Sequence, residues 1–311
     1  MSATAAEGAT PHPAEDRLAR LRTEPMVLVG GTSGVLAGTA RSLRDVWGYR
    51  ELLGLLVKRE LKVRYKDSAL GLVWTMLRPL ALLTVYYVAI GKFLGAQRAI
   101  PDFAIYVFTG LAIWGLFTEV VTAGTNSIIT NAGLVKKVSL PREVFPLSVL
   151  GSSLVNYAIQ LGILVVATAV LGAFPLGFRW VYFPLATVVV VVWSLALALV
   201  LSAWNVYLRD VQYLVEVVLM VGFWATPTLY SWALVRQQLE NLPWLQELYL
   251  ANPVTLAVLG MQQTFWVAGT GQPIPDHLAT RLLLATLVGL VGLFVAQRVF
   301  ARLSGSMAQE L

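Results

Sequence analysis

KRELKVRYKDSALGLVWTMLRP, residues 58–79, sets a basic collar on the front of the first long apolar run of this 311-residue chain. Lys58, Arg59, Lys62, Arg64, Lys66 and Arg78 all fall within it. Cationic residues just ahead of a membrane-length run are what the positive-inside bias leaves on the cytoplasmic face. The stretch therefore predicts a membrane protein that enters the bilayer from that side.

Composition agrees. The chain is 57% hydrophobic and 13% charged, with a mean hydropathy of +0.70, whereas soluble domains carry about 25% charged residues. The net charge of +6 gathers toward the first ~80 residues, so it reads as an orientation signal and lipid-facing collar, with no nucleic-acid footprint. There is no cysteine, which excludes disulfides, thiol catalysis and sulfur-ligated metal.

Residues 1–40 are rich in Ala, Gly, Thr, Pro and Glu and read as a mobile cytoplasmic tail ahead of one membrane domain, residues 41–311. Gly30, Gly31, Gly34 and Gly38 dilute the apolar character that a signal peptide needs. The same GGTSG run lacks the Gly-Lys-Ser/Thr ending of a phosphate loop. Across residues 44–66, Val46, Tyr49, Leu53, Leu56 and Val57 recur at helical steps among charges, predicting an amphipathic helix at the membrane surface.

Six spans are expected, at residues 70–94, 103–125, 144–171, 181–204, 211–230 and 278–300, each near or above the ~20 residues that cross ~30 Å of hydrocarbon. Lys136, Lys137 and Arg142, then Arg209, then Arg298 and Arg302 fall in alternate connections. Both termini are thus expected in the cytoplasm. Between the last two spans, PVTLAVLGMQQTFWVA, residues 253–268, is apolar but short and interrupted by Gln262 and Gln263. It fits external re-entrant helices better than a crossing, because irregular backbone at membrane depth survives only against protein or a water-filled cavity.

Arg78 belongs inside the first span, since the thirteen residues between it and Lys92 make only about 20 Å of helix. An arginine at that depth needs a partner or an aqueous cavity. Glu119, at similar depth on the antiparallel second span, is the candidate for a structural ion pair. The other reading places Arg78 on the route of an anionic headgroup. Tyr86, Trp114, Trp193 and Phe223, predicted deep in the spans, and with them Phe117 and Trp224, either pack between helices or present ring faces to the C–H face of a sugar in a substrate pathway.

Catalytic chemistry is missing. The two histidines, His12 and His277, lie in the tail and in an external loop, so neither a metal site nor a Ser-His-Asp set assembles within a span. Intramembrane carboxylates are too sparse for an obvious proton relay. No GxxxxGK[ST] motif is present, so the energy for active transport must come from another polypeptide.

Four segments carry a resemblance: KRELKVRYKDSALGLVWTMLRPL (58–80), KKVSLPREVFPLS (136–148), NVYLRDVQYL (205–214) and NPVTLAVLGMQQTFW (252–266). In this order, over about residue 41 to the end, the chain resembles the membrane subunit of ABC-2 type exporters, in the branch that exports O-antigen, teichoic acid and galactan. It departs at TPTLY, residues 226–230, where that branch more often reads SPxxY. The resemblance implies an all-α homodimer of six-span subunits in the inner membrane, joined to two copies of a separate ABC ATPase that binds the ATP and magnesium. This chain itself would then be no enzyme and hold no cofactor, and its cargo would be a lipid-linked polysaccharide. Arg44, Asp45, Arg50, Lys136, Lys137, Pro141, Arg142 and Glu143 would face the ATPase, and Asn252, Pro253, Gln262 and Gln263 would belong to an external gate. Abundant Ala, Val, Gly and Arg fit a high-GC Gram-positive source, and so a galactan-type glycan. The competing readings are an ABC-2 permease for drugs or small lipids, and an integral glycan-processing enzyme, which would need an acidic cluster that the short loops do not offer.

Overall fold

The computed structural model describes residues 35–65, 73–138 and 140–311. The proposed tail up to residue 34, and residues 66–72 with the second part of the basic collar, lie outside the described residues. Among those described there is helix and no strand. The helices are α1 (Val35–Gly48), α2 (Arg50–Tyr65), α3 (Val73–Tyr86, continuing as the π-helical Tyr87–Phe93), α4 (Phe103–Thr130), α5 (Ala132–Lys137), α6 (Val144–Val170), α7 (Tyr182–Tyr207), α8 (Val211–Trp224), α9 (Trp232–Gln238), α10 (Pro243–Leu250), α11 (Pro253–Phe265), α12 (Leu278–Ser304) and α13 (Met307–Glu310).

Among the described residues, five segments are long and apolar enough to cross a membrane: Met76–Phe93, Phe103–Thr130, Val144–Val170, Gly177–Tyr207 and Leu278–Ser304. They match the expected first, second, third, fourth and sixth spans. The fifth differs. Its helix, α8, stops at Trp224 after 14 residues, about 21 Å of rise, short of the ~30 Å core. Pro227 is the cause, because its ring would clash with the carbonyl of Phe223 four residues back and it has no N–H to donate. The Phe223 carbonyl instead accepts from the Thr226 hydroxyl at 2.9 Å.

The expected amphipathic helix also differs: it starts earlier and is two helices, α1 and α2, separated by a turn at Tyr49. Gly48 precedes the turn, and glycine is costly in a helix interior. Leu56 of α2 is buried beside Ile128, Val144, Phe145 and Phe300, so α2 is docked on the bundle. Trp47, Leu55 and Val63 remain exposed.

Lipid tails are as apolar as leucine, so helices in a bilayer associate by close packing of small residues and by polar contacts. The seam between α4 and α7 is of this kind. A Cβ on Gly124 would sit 2.6 Å from the Ala198 Cβ, so the two backbones meet with no room for a side chain. Nearby, Asn205 Nδ2 donates to the Thr125 carbonyl at 3.2 Å and to Asn126 Oδ1 at 3.0 Å. The core of the molecule runs along α4, α6, α7 and α11. α3 and α8 flank it: Val215 is part of it, Leu80, Leu83, Leu219 and Phe223 pack against it half-buried, and Gly91 is the other buried residue of these two helices among the described residues.

Candidate functional site: a membrane groove with a polar and an aromatic end

α3, α4, α6 and α8 enclose a groove of about 1110 Å3, open along its flank. On α4 its lining runs from Leu111 to Asn126, about 22 Å of helix rise, most of the hydrocarbon thickness. Chain direction explains its two ends. α3 and α8 rise from the end of the bundle that carries α1 and α2, and α4 descends toward it. Arg78, Glu216, Glu119, Thr122 and Asn126 therefore collect near that end, and Tyr86, Phe223, Trp224 and Trp114 collect away from it. Asn156 and Gln160 of α6 line the polar part.

The aromatic end is a continuous cluster. Tyr86 stacks on Phe223 with ring centroids 6.1 Å apart, Phe223 lies 5.8 Å from Trp114 and 5.8 Å from Trp224, and Trp114 lies 5.7 Å from Phe117. Such pairs are held by the quadrupoles of their rings as well as by burial. Gly222 leaves room for the Trp114 indole, whose tip would lie 3.1 Å from a Cβ there.

Of the residues expected on a substrate pathway, Arg78, Tyr86, Trp114, Phe223 and Trp224 line this groove, and Phe117 and Trp193 do not. Phe117 is buried behind Trp114. Trp193 faces α12, where its indole N–H donates to the Ala285 carbonyl at 2.9 Å and its ring fills the space beside Gly289. Arg78 and Glu119 line the same groove, but the ion pair expected between them is not among the ion pairs of the described residues. Glu119 Oε1 accepts from Asn156 Nδ2 at 2.8 Å. Asn126, Asn156, Gln160 and Glu216 were not foreseen as a set, although polar side chains in apolar runs are themselves a signal of function.

The residues expected to face an ATPase gather at one end of the molecule. Arg44, Asp45, Arg50, Lys136 and Lys137 are exposed, and Pro141, Arg142 and Glu143 are half-buried. Glu143 Oε1 accepts from the Ser42 hydroxyl at 2.9 Å, joining α1 to the start of α6. Arg59 donates to Asn131 Oδ1, joining α2 to the α4–α5 junction, and Arg298 of α12 donates through Nε to the Thr39 hydroxyl at 2.9 Å. These ties weld α1 and α2 to three membrane helices, and an exposed charged surface is left beside them.

At the other end, Asn252 caps α11 by accepting from the Val254 N–H at 3.0 Å, with Pro253 at the first helical position, where a missing N–H costs nothing. α11 is buried along most of its length, which is what the expected re-entrant helix requires. Gln262 is buried and Gln263 half-buried. No group of acidic, histidine and cysteine side chains able to hold a metal occurs among the described residues.

A helical bundle that crosses the bilayer several times, with a groove along its membrane-spanning flank, defines a polytopic transporter subunit. Residues 51–266 match the ABC-2 type transporter family model, and the chain belongs to that family. It is 32% identical over 272 residues to the O-antigen export system permease protein RfbA of Myxococcus xanthus, covering 87% of this chain and 99% of that one. Two Klebsiella pneumoniae proteins of the same name are 30% and 27% identical over 216 residues, each match covering 69% of this chain and 80% of the relative. The family makes this chain the membrane subunit of an ABC transporter, with the ATPase on a partner.

Proposed function

We propose that the chain is the permease of an ATP-driven exporter that carries a lipid-linked cell-surface polysaccharide, of the O-antigen, teichoic acid or galactan type, across the inner membrane. Two copies assemble with two copies of a separate ATPase, which binds the ATP and magnesium. The observation that carries this reading is the similarity, over 87% of this chain and 99% of the relative, to a protein named as an O-antigen export permease. The groove supports it: ring faces at one end suit the C–H faces of sugars, and polar side chains at the other suit hydroxyls and a charged linkage.

In this reading both termini and the α1–α2 end face the cytoplasm, and the exposed charges of α1, α2 and α5 dock the ATPase. Asn252, Pro253, Gln262 and Gln263 belong to the outer gate. The groove is open along one flank, and a second copy closes it. Depleting the protein in its source organism tests the proposal, with polymer trapped inside the cytoplasmic face as the expected result. Normal surface polymer after depletion would overturn it.

A further inference from the structure

The interruption after α8 is held from two sides by buried side chains. Tyr106 of α4 and Gln262 of α11 are both almost fully buried, and Thr226 and Thr228 are completely so. The Tyr106 hydroxyl lies 2.9 Å from the Pro227 carbonyl and 2.7 Å from the Tyr230 carbonyl. Gln262 Nε2 donates to the same Pro227 carbonyl at 2.8 Å. A tyrosine hydroxyl carries one hydrogen, so Tyr106 serves one of the two carbonyls at a time. When it donates to Tyr230, Gln262 still holds Pro227 and both carbonyls are served; when it donates to Pro227, the Tyr230 carbonyl gives up this bond, which biases the pair toward the Tyr230 position.

The same segment is tied to the groove. The Tyr230 hydroxyl donates to the Trp224 carbonyl at 2.7 Å, and Phe223 and Trp224 are the groove's aromatic wall. Gly110 lets α4 approach the Thr228 backbone, which a Cβ there would meet at 3.2 Å. α8 itself buries only Val215, so these contacts act together with the ring contacts of Phe223 to hold it at this end.

We infer that Tyr106 and Gln262 are positioning residues that form a two-position latch, fixing the aromatic end of α8 and passing movement of the re-entrant helix α11 to the groove wall. The export part of the inference rests on the proposed function; the positional part does not.

The chain has no cysteine, so paired spin labels go only where they are introduced. Labels at Leu82→Cys and Met220→Cys report on the α3 and α8 walls of the groove, and a control pair at Val188→Cys and Leu287→Cys reports on α7 and α12. The complex is reconstituted in nanodiscs, with labelled chain diluted into unlabelled. Tyr106→Phe and Gln262→Met each delete one donor and keep the side-chain bulk. Each is expected to broaden the groove distance distribution, and the double variant to broaden it further while the control pair stays at its parental distance. Export per molecule should fall roughly fivefold for each lost hydrogen bond.

Parental groove distances in the variants would overturn the latch, as would equal broadening of the control pair, which marks a contact that only stabilises the fold. If the double variant fails to accumulate, the two single variants carry the same comparison. Broadened groove distances in a complex that exports no glycan even as the parent would refute the transport reading and leave the latch standing.

Discussion

Trp193 and Trp224 show how a residue's partner determines what it does. Both are tryptophans in apolar helices, yet Trp193 uses its N–H on the Ala285 carbonyl, and Trp224 is mostly exposed at the groove. Helical spacing gives the face a residue occupies and not the helix opposite it, so the sequence alone could not separate them. Trp193→Phe should lower thermal stability by about 1 kcal/mol, the net worth of one hydrogen bond, read as a lower melting temperature in detergent. Trp224→Ala should leave the melting temperature near the parent's and reduce transport. At the α4–α7 seam, where a Cβ on Gly124 would already lie 2.6 Å from Ala198, Gly124→Leu should cost about 1–3 kcal/mol by overpacking. The measurement is the yield of monodisperse protein from membranes, which should drop sharply.

At the scale of elements, five of the six expected spans were legible because an apolar run of that length has few alternatives to crossing. The end of α8 was harder to read, since Ala225 to Tyr230 stays apolar or hydroxylated and hydropathy runs through it. Pro227 was the signal that hydropathy ignores. The groove was half legible: Arg78 and four of the aromatics could be nominated, but the carboxamides of α4 and α6 meet them only through the tertiary arrangement. Outside the spans, Glu247 of α10 accepts two hydrogen bonds from the Arg281 guanidinium, at 2.7 and 2.9 Å, and these bonds hold its carboxyl below the usual carboxylate range. A lowered carboxylate pKa stabilises the fold above the ordinary range, and that contribution is lost as pH falls through the lowered value. Glu247 is well exposed, so screening keeps the effect small. Melting temperatures of parent and Glu247→Gln should therefore differ slightly at neutral pH and converge in acid.

For the whole molecule, orientation is the claim with the widest reach. Single cysteines placed at Lys136 and at Thr270 in this thiol-free chain should be labelled by a membrane-impermeant maleimide from opposite sides. Lys136 should react only in inverted vesicles and Thr270 only in intact cells, and the reverse result would invert the assignment of every loop. The same picture has a mechanical side. α4 is enclosed by its neighbours along most of its length, while α3 and α8 present most of their surface outward. The chamber is thus a deeply packed post flanked by two outward-facing shutters, one of them carrying Pro79 within its helix and finished in a π-helical turn. On the proposed function, a cargo whose girth alters sugar by sugar would be met by thinly packed shutters, while the post keeps its foundation.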